Sequence, residues 1–213
     1  MLRVGLTGGL GSGKSTAAQM FGECGAVVLQ SDAIGRELMQ PGQAVYRAIV
    51  ERFGSAFVMA DGRLDRPALA RAAFAEGGVE ALNAIVHPAV IARQEELMRG
   101  LAANSVVVIE SALLFETKYG GPSGWRERFD RLVLVTAPDS LKVVRFVERA
   151  GASAETKQAF EAEAQRRLAL QITDEVKAPQ CDFVLRNDGD LAALEAQVRQ
   201  VWSELVKATI AGS

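Results

Sequence analysis

Gly8-Gly9-Leu10-Gly11-Ser12-Gly13-Lys14-Ser15 is the stretch of this chain best equipped for chemistry. It satisfies G-x-x-x-x-G-K-[ST] at every fixed position, the pattern of a loop that cradles phosphates. Glycines let the backbone approach phosphate oxygens where a Cβ would obstruct it. Successive N–H groups then converge into an anion nest, and the start of the following helix adds partial positive charge. In such a loop Lys14 reaches the β- and γ-phosphates, the Ser15 hydroxyl suits a magnesium ligand, and Thr16 can donate to the α-phosphate. The residues expected to hold a nucleotide are therefore Gly8, Gly9, Gly11, Ser12, Gly13, Lys14, Ser15 and Thr16. A glycine-rich turn that binds nothing is the bland alternative. The Lys-Ser pair and the strand-like run directly upstream argue against it.

Four other groups have types and positions suited to phosphoryl transfer. Asp32 follows the second apolar run, at the edge where ligands bind in open α/β sheets. A carboxylate there could orient a hydroxyl nucleophile and take its proton, or help hold magnesium; equally, Ser31 or Asp32 could simply cap the next helix. Glu110 closes the third apolar run, in Ile109-Glu110-Ser111-Ala112-Leu113-Leu114-Phe115-Glu116. It reads equally well as a carboxylate near magnesium or as a strand-end acid paired with a cation. Leu113-Leu114-Phe115 is core or the wall of an acceptor pocket. Arg145, Arg149, Arg166 and Arg167 could neutralise charge developing on a transferred phosphate, or could form a solvated helix face. His87, the only histidine, has no histidine or cysteine at ligand spacing, so a metal role is rejected.

These groups need a scaffold, and the apolar periodicity supplies one. Residues 2–7, 26–29, 106–109, 132–136 and 183–185 are short apolar runs of the kind a buried parallel strand shows. Helical patterns separate them, which argues for an α/β fold with a five-stranded parallel sheet and helices on both faces. The first helix is expected over 15–21, ended by Gly22 or Gly25. Between the second and third strands lie far more residues than one crossover needs. Pro41-Gly42 breaks a helix there. Asp65-Arg66-Pro67 looks like a helix start with Asp65 as cap, and Gly77-Gly78 and His87-Pro88 punctuate further helices. Residues 34–103 thus read as a helical insertion able to hold a second substrate. A second, arginine-rich helical excursion occupies 139–177, with Gly151 as a turn between two helices. The last helix, 191–209, carries Leu191, Leu194, Val198, Val201, Trp202 and Leu205 at helical spacing and should pack on the sheet.

Composition narrows the function further. A chain of 213 residues that is 49% hydrophobic can bury one α/β core plus an insertion. A net charge of −2 without a basic cluster does not suggest nucleic-acid binding. Cys24 and Cys181 form no closely spaced pair, which fits a reducing cytoplasm. A chain that opens directly on a strand is expected to carry no secretion signal, and no apolar stretch is long enough to span a bilayer.

The residues also carry a resemblance. Gly5-Leu6-Thr7-Gly8-Gly9-Leu10-Gly11-Ser12-Gly13-Lys14-Ser15-Thr16, Ser31-Asp32, Arg36-Glu37-Leu38 and Pro41-Gly42 begin an ordered series. Phe53-Gly54, Asp61-Gly62-Arg63-Leu64-Asp65-Arg66, His87-Pro88 and Leu113-Leu114-Phe115-Glu116 continue it, and Arg167 with Gln171 and Asn187 with Gly189 complete it. The phosphate loop is shared by many families; the series is far more specific, and over nearly the whole chain it resembles dephospho-CoA kinase. The resemblance implies a P-loop nucleoside-triphosphate hydrolase-like three-layer fold. Its nucleotide core would comprise 1–33, 104–138 and 178–213, its acceptor (CoA-binding) domain 34–103 and its lid 139–177. It implies a cytoplasmic enzyme, monomeric and without an obligate protein partner, that uses ATP and magnesium. The γ-phosphoryl group would go to the ribose 3′-hydroxyl of 3′-dephospho-CoA. Asp32, Lys14 and Arg149 would be catalytic, and Ser15 and Asp32 would serve the metal. Arg145, Arg149 and Asn187 would contact ATP, with Asn187 near the adenine; Asp32, Arg66, His87, Leu113 and Glu116 would contact the acceptor. Three positions depart from the family pattern: Gln30 stands where an acid usually precedes Asp32, Ala112 where a proline precedes Leu-Leu-Phe-Glu, and Ala150 where an acid or amide often follows Arg149.

Other phosphate-loop proteins fit less well. A kinase of the same architecture acting on a nucleoside, nucleotide or shikimate-like acceptor is the nearest rival, and the long insertion with Leu64-Asp65-Arg66 and His87-Pro88 favours the CoA precursor. A GTP-dependent switch would carry Asn-Lys-x-Asp and a mechanical ATPase Leu-Ser-Gly-Gly-Gln; neither occurs.

Overall fold

The computed structural model describes residues 1–75, 77–115 and 124–211. They form two compact units, Met1–Leu29 with Leu101–Ser213, and Gln30–Gly100.

The first unit is built on the parallel sheet. Its strands are β1 (Leu2–Thr7), β2 (Val27–Gln30), β3 (Val106–Glu110), β4 (Arg131–Thr136) and β5 (Phe183–Arg186), in the order β2-β3-β1-β4-β5. Each lies within a residue of the run that announced it. The register sets Leu2 against Val106, Val4 against Arg131 and Val133 against Phe183. β1, β3 and β4 are near-continuous apolar runs because both of their faces are covered. On one face Val4, Leu6, Val108, Val133, Val135 and Leu185 pack with Ala17, Ala18 and Phe21 of α1 (Lys14–Glu23) and with Leu194, Val198, Val201 and Leu205 of the C-terminal helix Leu191–Ala211. The buried positions of that last helix recur every three or four residues, so they form one stripe; Leu191, at its start, is instead 64% exposed. On the other face Leu114, Phe129 and Leu132 crowd Gly5, where a Cβ would come within 2.7–3.1 Å of their side chains.

α1 runs through Gly22 and closes only at Gly25, whose φ of 111° permits the Gly25 and Ala26 amides to bond back to Gly22 and Phe21 carbonyls. Because all strands are parallel, the segments that follow β1, β3, β4 and β5 leave the same edge of the sheet.

The second unit is helical: α2 (Ser31–Leu38), α3 (Ala44–Phe53), α4 (Arg66–Ala75) and α5 (Val79–Arg99) enclose Val45, Ile49, Leu64 and Leu69. Asp65 caps α4, its Oδ1 accepting the Ala68 amide at 2.9 Å. Met59 N–H donates to Arg63 O at 2.8 Å across a turn at Gly62. His87-Pro88 does not interrupt a helix. Pro88 lies inside the 21-residue α5, where it removes one ladder bond at a cost of roughly 3 kcal/mol. Packing on both sides of it offsets that loss: Leu82, Ile85, Val86 and Ala89 join the unit's core, and Val90, Gln94 and Met98 are buried.

In the first unit the 139–177 excursion contains α6 (Asp139–Arg149), α7 (Lys157–Ala169) and α8 (Asp174–Lys177), with Gly151 at φ 63° turning the chain after α6. Phe146 and Phe160 join α6 to α7, ring centroids 6.3 Å apart. The C-terminal helix is α9. Cys24 and Cys181 are free thiols, and among the described residues no helix is long and apolar enough to cross a membrane.

Leu194 is fully buried where α9 meets the sheet. Leu194→Ala is expected to lower stability by about 2–5 kcal/mol, measurable as an earlier urea midpoint with an unchanged slope.

Candidate active site

The phosphate loop leaves the carboxyl end of β1 and enters α1, and its shape is set by what lies against it. Gly13, the N-cap of α1, has φ 95°, and a Cβ there would stand 2.0 Å from Asn187 Nδ2. Gly11, at φ 69°, would place a Cβ 2.4 Å from the Lys142 carbonyl oxygen. On Gly8 it would meet the Val135 carbonyl oxygen at 2.4 Å. Three neighbours, one each from β4, α6 and the end of β5, thus demand three glycines.

Several of the loop's donors are left open. The backbone N–H groups of Gly11, Gly13, Ser15 and Thr16 have no acceptor among the described residues. Thr7 Oγ1, Ser12 Oγ and one Arg145 guanidinium nitrogen are buried without a partner there. Buried polar groups are nearly always satisfied, so a cluster of donors left open marks a place for an acceptor-rich ligand. Lys14 Nζ reaches back to the Gly9 carbonyl at 3.3 Å, which keeps the ammonium over the loop.

Ser15 Oγ donates to Glu110 Oε1 at 2.9 Å. The sequence reading assigned Ser15 and Asp32 to magnesium and left Glu110 undecided; the structure joins Ser15 to Glu110, at the end of β3. A hydroxyl and a carboxylate side by side and open to solvent are the hard oxygen donors magnesium takes, with water and phosphate oxygens completing its shell. These residues fit that ion. No cluster of three or more His, Cys, Asp or Glu occurs among the described residues, so any cation here would depend on ligand oxygens.

Asn187 has a definite task. Its Nδ2 donates to the Ser12 carbonyl at 2.8 Å, its backbone N–H to the Thr136 carbonyl at 2.8 Å, and its own carbonyl accepts Arg145 Nη2 at 3.0 Å. It is buried. The side chain that the resemblance sets near the adenine is thus occupied in holding the loop backbone.

The family model described as dephospho-CoA kinase matches residues 2–193. A dephospho-CoA kinase of Methylococcus capsulatus is 42% identical over 199 residues, 93% of each chain. One of Mycolicibacterium paratuberculosis is 42% identical over 207 residues, 97% of this chain and 48% of its own. The chain belongs to the dephospho-CoA kinase family. It spans about half the length of the mycobacterial relatives. Among solved structures, a protein of Thermus thermophilus superposes with TM-score 0.74 at 34% identity, covering 96% of this chain and 97% of that one. The dephospho-CoA kinase of Campylobacter jejuni, at 21% identity and TM-score 0.65 over 97% and 98% of the two chains, shares the fold.

The remaining family positions fall in several places. Asp32 lies in the first turn of α2, exposed, with no partner among the described residues. The helix's N-cap is Gln30, and no side chain caps it. Ser31 Oγ instead accepts Gln94 Nε2 at 3.0 Å. Arg66, exposed, lines a cavity of about 310 Å³ with Met39, Met59, Arg63 and Asp65. His87 is half-buried in α5; burial pulls its imidazole below the ordinary pKa, against the pull of the Glu80 charge. Leu113 is 41% exposed, as an acceptor wall needs and a core residue does not. Glu116 lies outside the described residues. Arg149, in the last turn of α6, is exposed and has no partner among the described residues. Arg166 and Arg167 both pair with Glu163, and Arg167 also lies over the Phe146 ring at 5.5 Å. Arg166 thus pairs within α7 and Arg167 also reaches α6, while Arg145 gives Nη2 to Asn187 and keeps Nη1 without a partner among the described residues.

Sequence reasoning missed Lys142. It is almost fully buried beneath the loop, with Nζ 2.7 Å from Asp174 Oδ2 and 3.0 Å from Asp139 Oδ1. Burial opposes its charge, but the hydrogen bonds to the two acids prevail and raise the ammonium above its ordinary pKa. On a helix full of charged residues nothing in the sequence separates it from a surface lysine.

Asn187→Asp keeps the shape and removes the donor, setting a carboxylate oxygen against the Ser12 carbonyl. The expected result is a stability loss of about 1–3 kcal/mol and weaker binding of an ATP analogue, read by urea unfolding and calorimetry.

Proposed function

We propose that this chain is a dephospho-CoA kinase. It would transfer the γ-phosphoryl group of ATP to the ribose 3′-hydroxyl of 3′-dephospho-CoA, giving CoA and ADP in the cytoplasm. The observation that carries this reading is the preformed anion nest, four open amides with Lys14 and the Ser15–Glu110 pair at its rim. Membership of the family supplies the acceptor. The helical segment 34–103 would receive dephospho-CoA, with Arg66, His87, Leu113 and Glu116 among its contacts, and 139–177 would act as the lid.

The roles follow from the chemistry. The open amides and Lys14 would bind the phosphate chain and oppose the charge that develops as the bond between Pγ and the β,γ-bridging oxygen breaks. Ser15 and Glu110 would hold a magnesium ion, which would supply charge neutralisation when bound. The 3′-oxygen forms the new bond to phosphorus, ADP leaves with the bridging oxygen, and the hydroxyl proton passes to Asp32. Two features support Asp32 as that base: its carboxylate is exposed and unpartnered among the described residues, and it makes no capping hydrogen bond in α2. Arg149 is free to meet the phosphates in the same way.

The test is an acceptor comparison. The chain with magnesium and ATP should convert dephospho-CoA to CoA and ADP by mass, with shikimate and nucleosides inert; ADP release indifferent to dephospho-CoA and stimulated by another alcohol contradicts the proposal. Asp32→Asn should leave the melting temperature unchanged and lower saturated turnover at least ~10²-fold. Unchanged turnover would transfer the role of base to another carboxylate.

A further inference from the structure

One amide of the phosphate loop turns away from the nest. Leu10 N–H donates to Gln171 Oε1 at 3.0 Å, across 161 residues of sequence. The same peptide group is gripped from its other end. The Gly9 carbonyl, which shares that peptide plane, accepts Ser12 N–H at 3.2 Å and Lys14 Nζ at 3.3 Å. Rotating the Gly9–Leu10 peptide would break all three bonds, the one from Lys14 among them.

Gln171 is itself well anchored. Its backbone N–H bonds to the Leu168 carbonyl at the end of α7. Three residues on, Asp174 ties the segment to Lys142 at 2.7 Å, with Asp174 and Lys142 14% and 6% exposed. Lys142 and Gln171 flank one glycine: a Cβ on Gly9 would lie 3.3 Å from Gln171 Oε1 and 3.5 Å from Lys142 Nζ. The two also line one cavity of about 300 Å³ with Gly9, Pro138, Thr173 and Asp174.

We propose that Gln171 is a positioning residue that, by gripping the Gly9–Leu10 peptide, holds the phosphate loop and Lys14 in the conformation that receives the nucleotide. The inference rests on reading the loop as the ATP site. Its physical basis is preorganisation: a loop held in its binding shape beforehand loses less freedom when the ligand arrives. It also gives the 139–177 segment a connection to the loop independent of its arginines, so that a shift of the α7–α8 junction would be felt at Lys14.

Gln171→Met keeps the length of the side chain and removes the acceptor, whereas Gln171→Glu keeps an acceptor oxygen. The full chain is compared in these three forms by amide exchange at Leu10 without ligand, by calorimetric titration with magnesium and a non-hydrolysable ATP analogue, and by thermal melting. In Gln171→Met, Leu10 exchange should rise at least ~10-fold, the analogue should bind about 10-fold more weakly, and the melting temperature should hold. Gln171→Glu should restore Leu10 protection. Unaltered Leu10 exchange in Gln171→Met overturns the inference. So does unaltered affinity, or an affinity loss matched by a fall in melting temperature, which would make the bond merely structural. A wild type that binds no nucleotide overturns the reading of the loop and the inference with it; one that binds, beside a Gln171→Met variant that binds equally well, overturns the inference alone.

Discussion

Everything in the nucleotide half of this molecule depends on how closely three backbone and side-chain groups approach one loop. The Val135 carbonyl, the Lys142 carbonyl and the Asn187 amide stand where Gly8, Gly11 and Gly13 would otherwise carry side chains. That crowding keeps the loop open toward the ligand. With Asn187 and Gln171 satisfying the Ser12 carbonyl and the Leu10 amide, the N–H groups of Gly11, Gly13, Ser15 and Thr16 are left without an acceptor among the described residues.

The approach is possible because of the sheet. β4 and β5 flank β1 on one side in parallel register, so Ala137 and Asn187 leave the same edge as the loop, which is where ligands gather in open α/β folds. β3 lies on the other side of β1 and ends at Glu110, within hydrogen-bonding distance of Ser15. The apolar stripe of α9 and the buried face of α1 hold this edge together from below. Packing in the core therefore reaches the site through strand register.

Much of this was legible in the sequence, for a physical reason. β1, β3 and β4, covered on both faces, must be continuous apolar runs, and the edge strands β2 and β5 carry shorter apolar runs of the same kind. The glycine pattern of the loop has few other uses beside Lys-Ser. What escaped was of two kinds. Pro88 was read as a helix boundary because its local penalty is large, yet packing along α5 outweighs it. The contact of Gln171 with Leu10 and the grip of Asn187 on Ser12 join residues more than a hundred positions apart, and Lys142 is paired with Asp174 across 32; their residue types are those of any solvated surface, and only the fold brings them together. Glu110 stood between two roles in the sequence, and its hydrogen bond to Ser15 places it beside the loop.

On the proposed reading, the loop binds nucleotide because its neighbours leave space for glycine alone. Calorimetric titration of the wild type and Gly13→Ala with magnesium and a non-hydrolysable ATP analogue tests it most directly, with circular dichroism to show that both are folded. The wild type should bind one equivalent, and Gly13→Ala, whose new Cβ would fall on the Asn187 amide, should bind at least ~10²-fold more weakly, a difference of about 2.7 kcal/mol. A folded Gly13→Ala that binds the analogue as the wild type does would contradict the account.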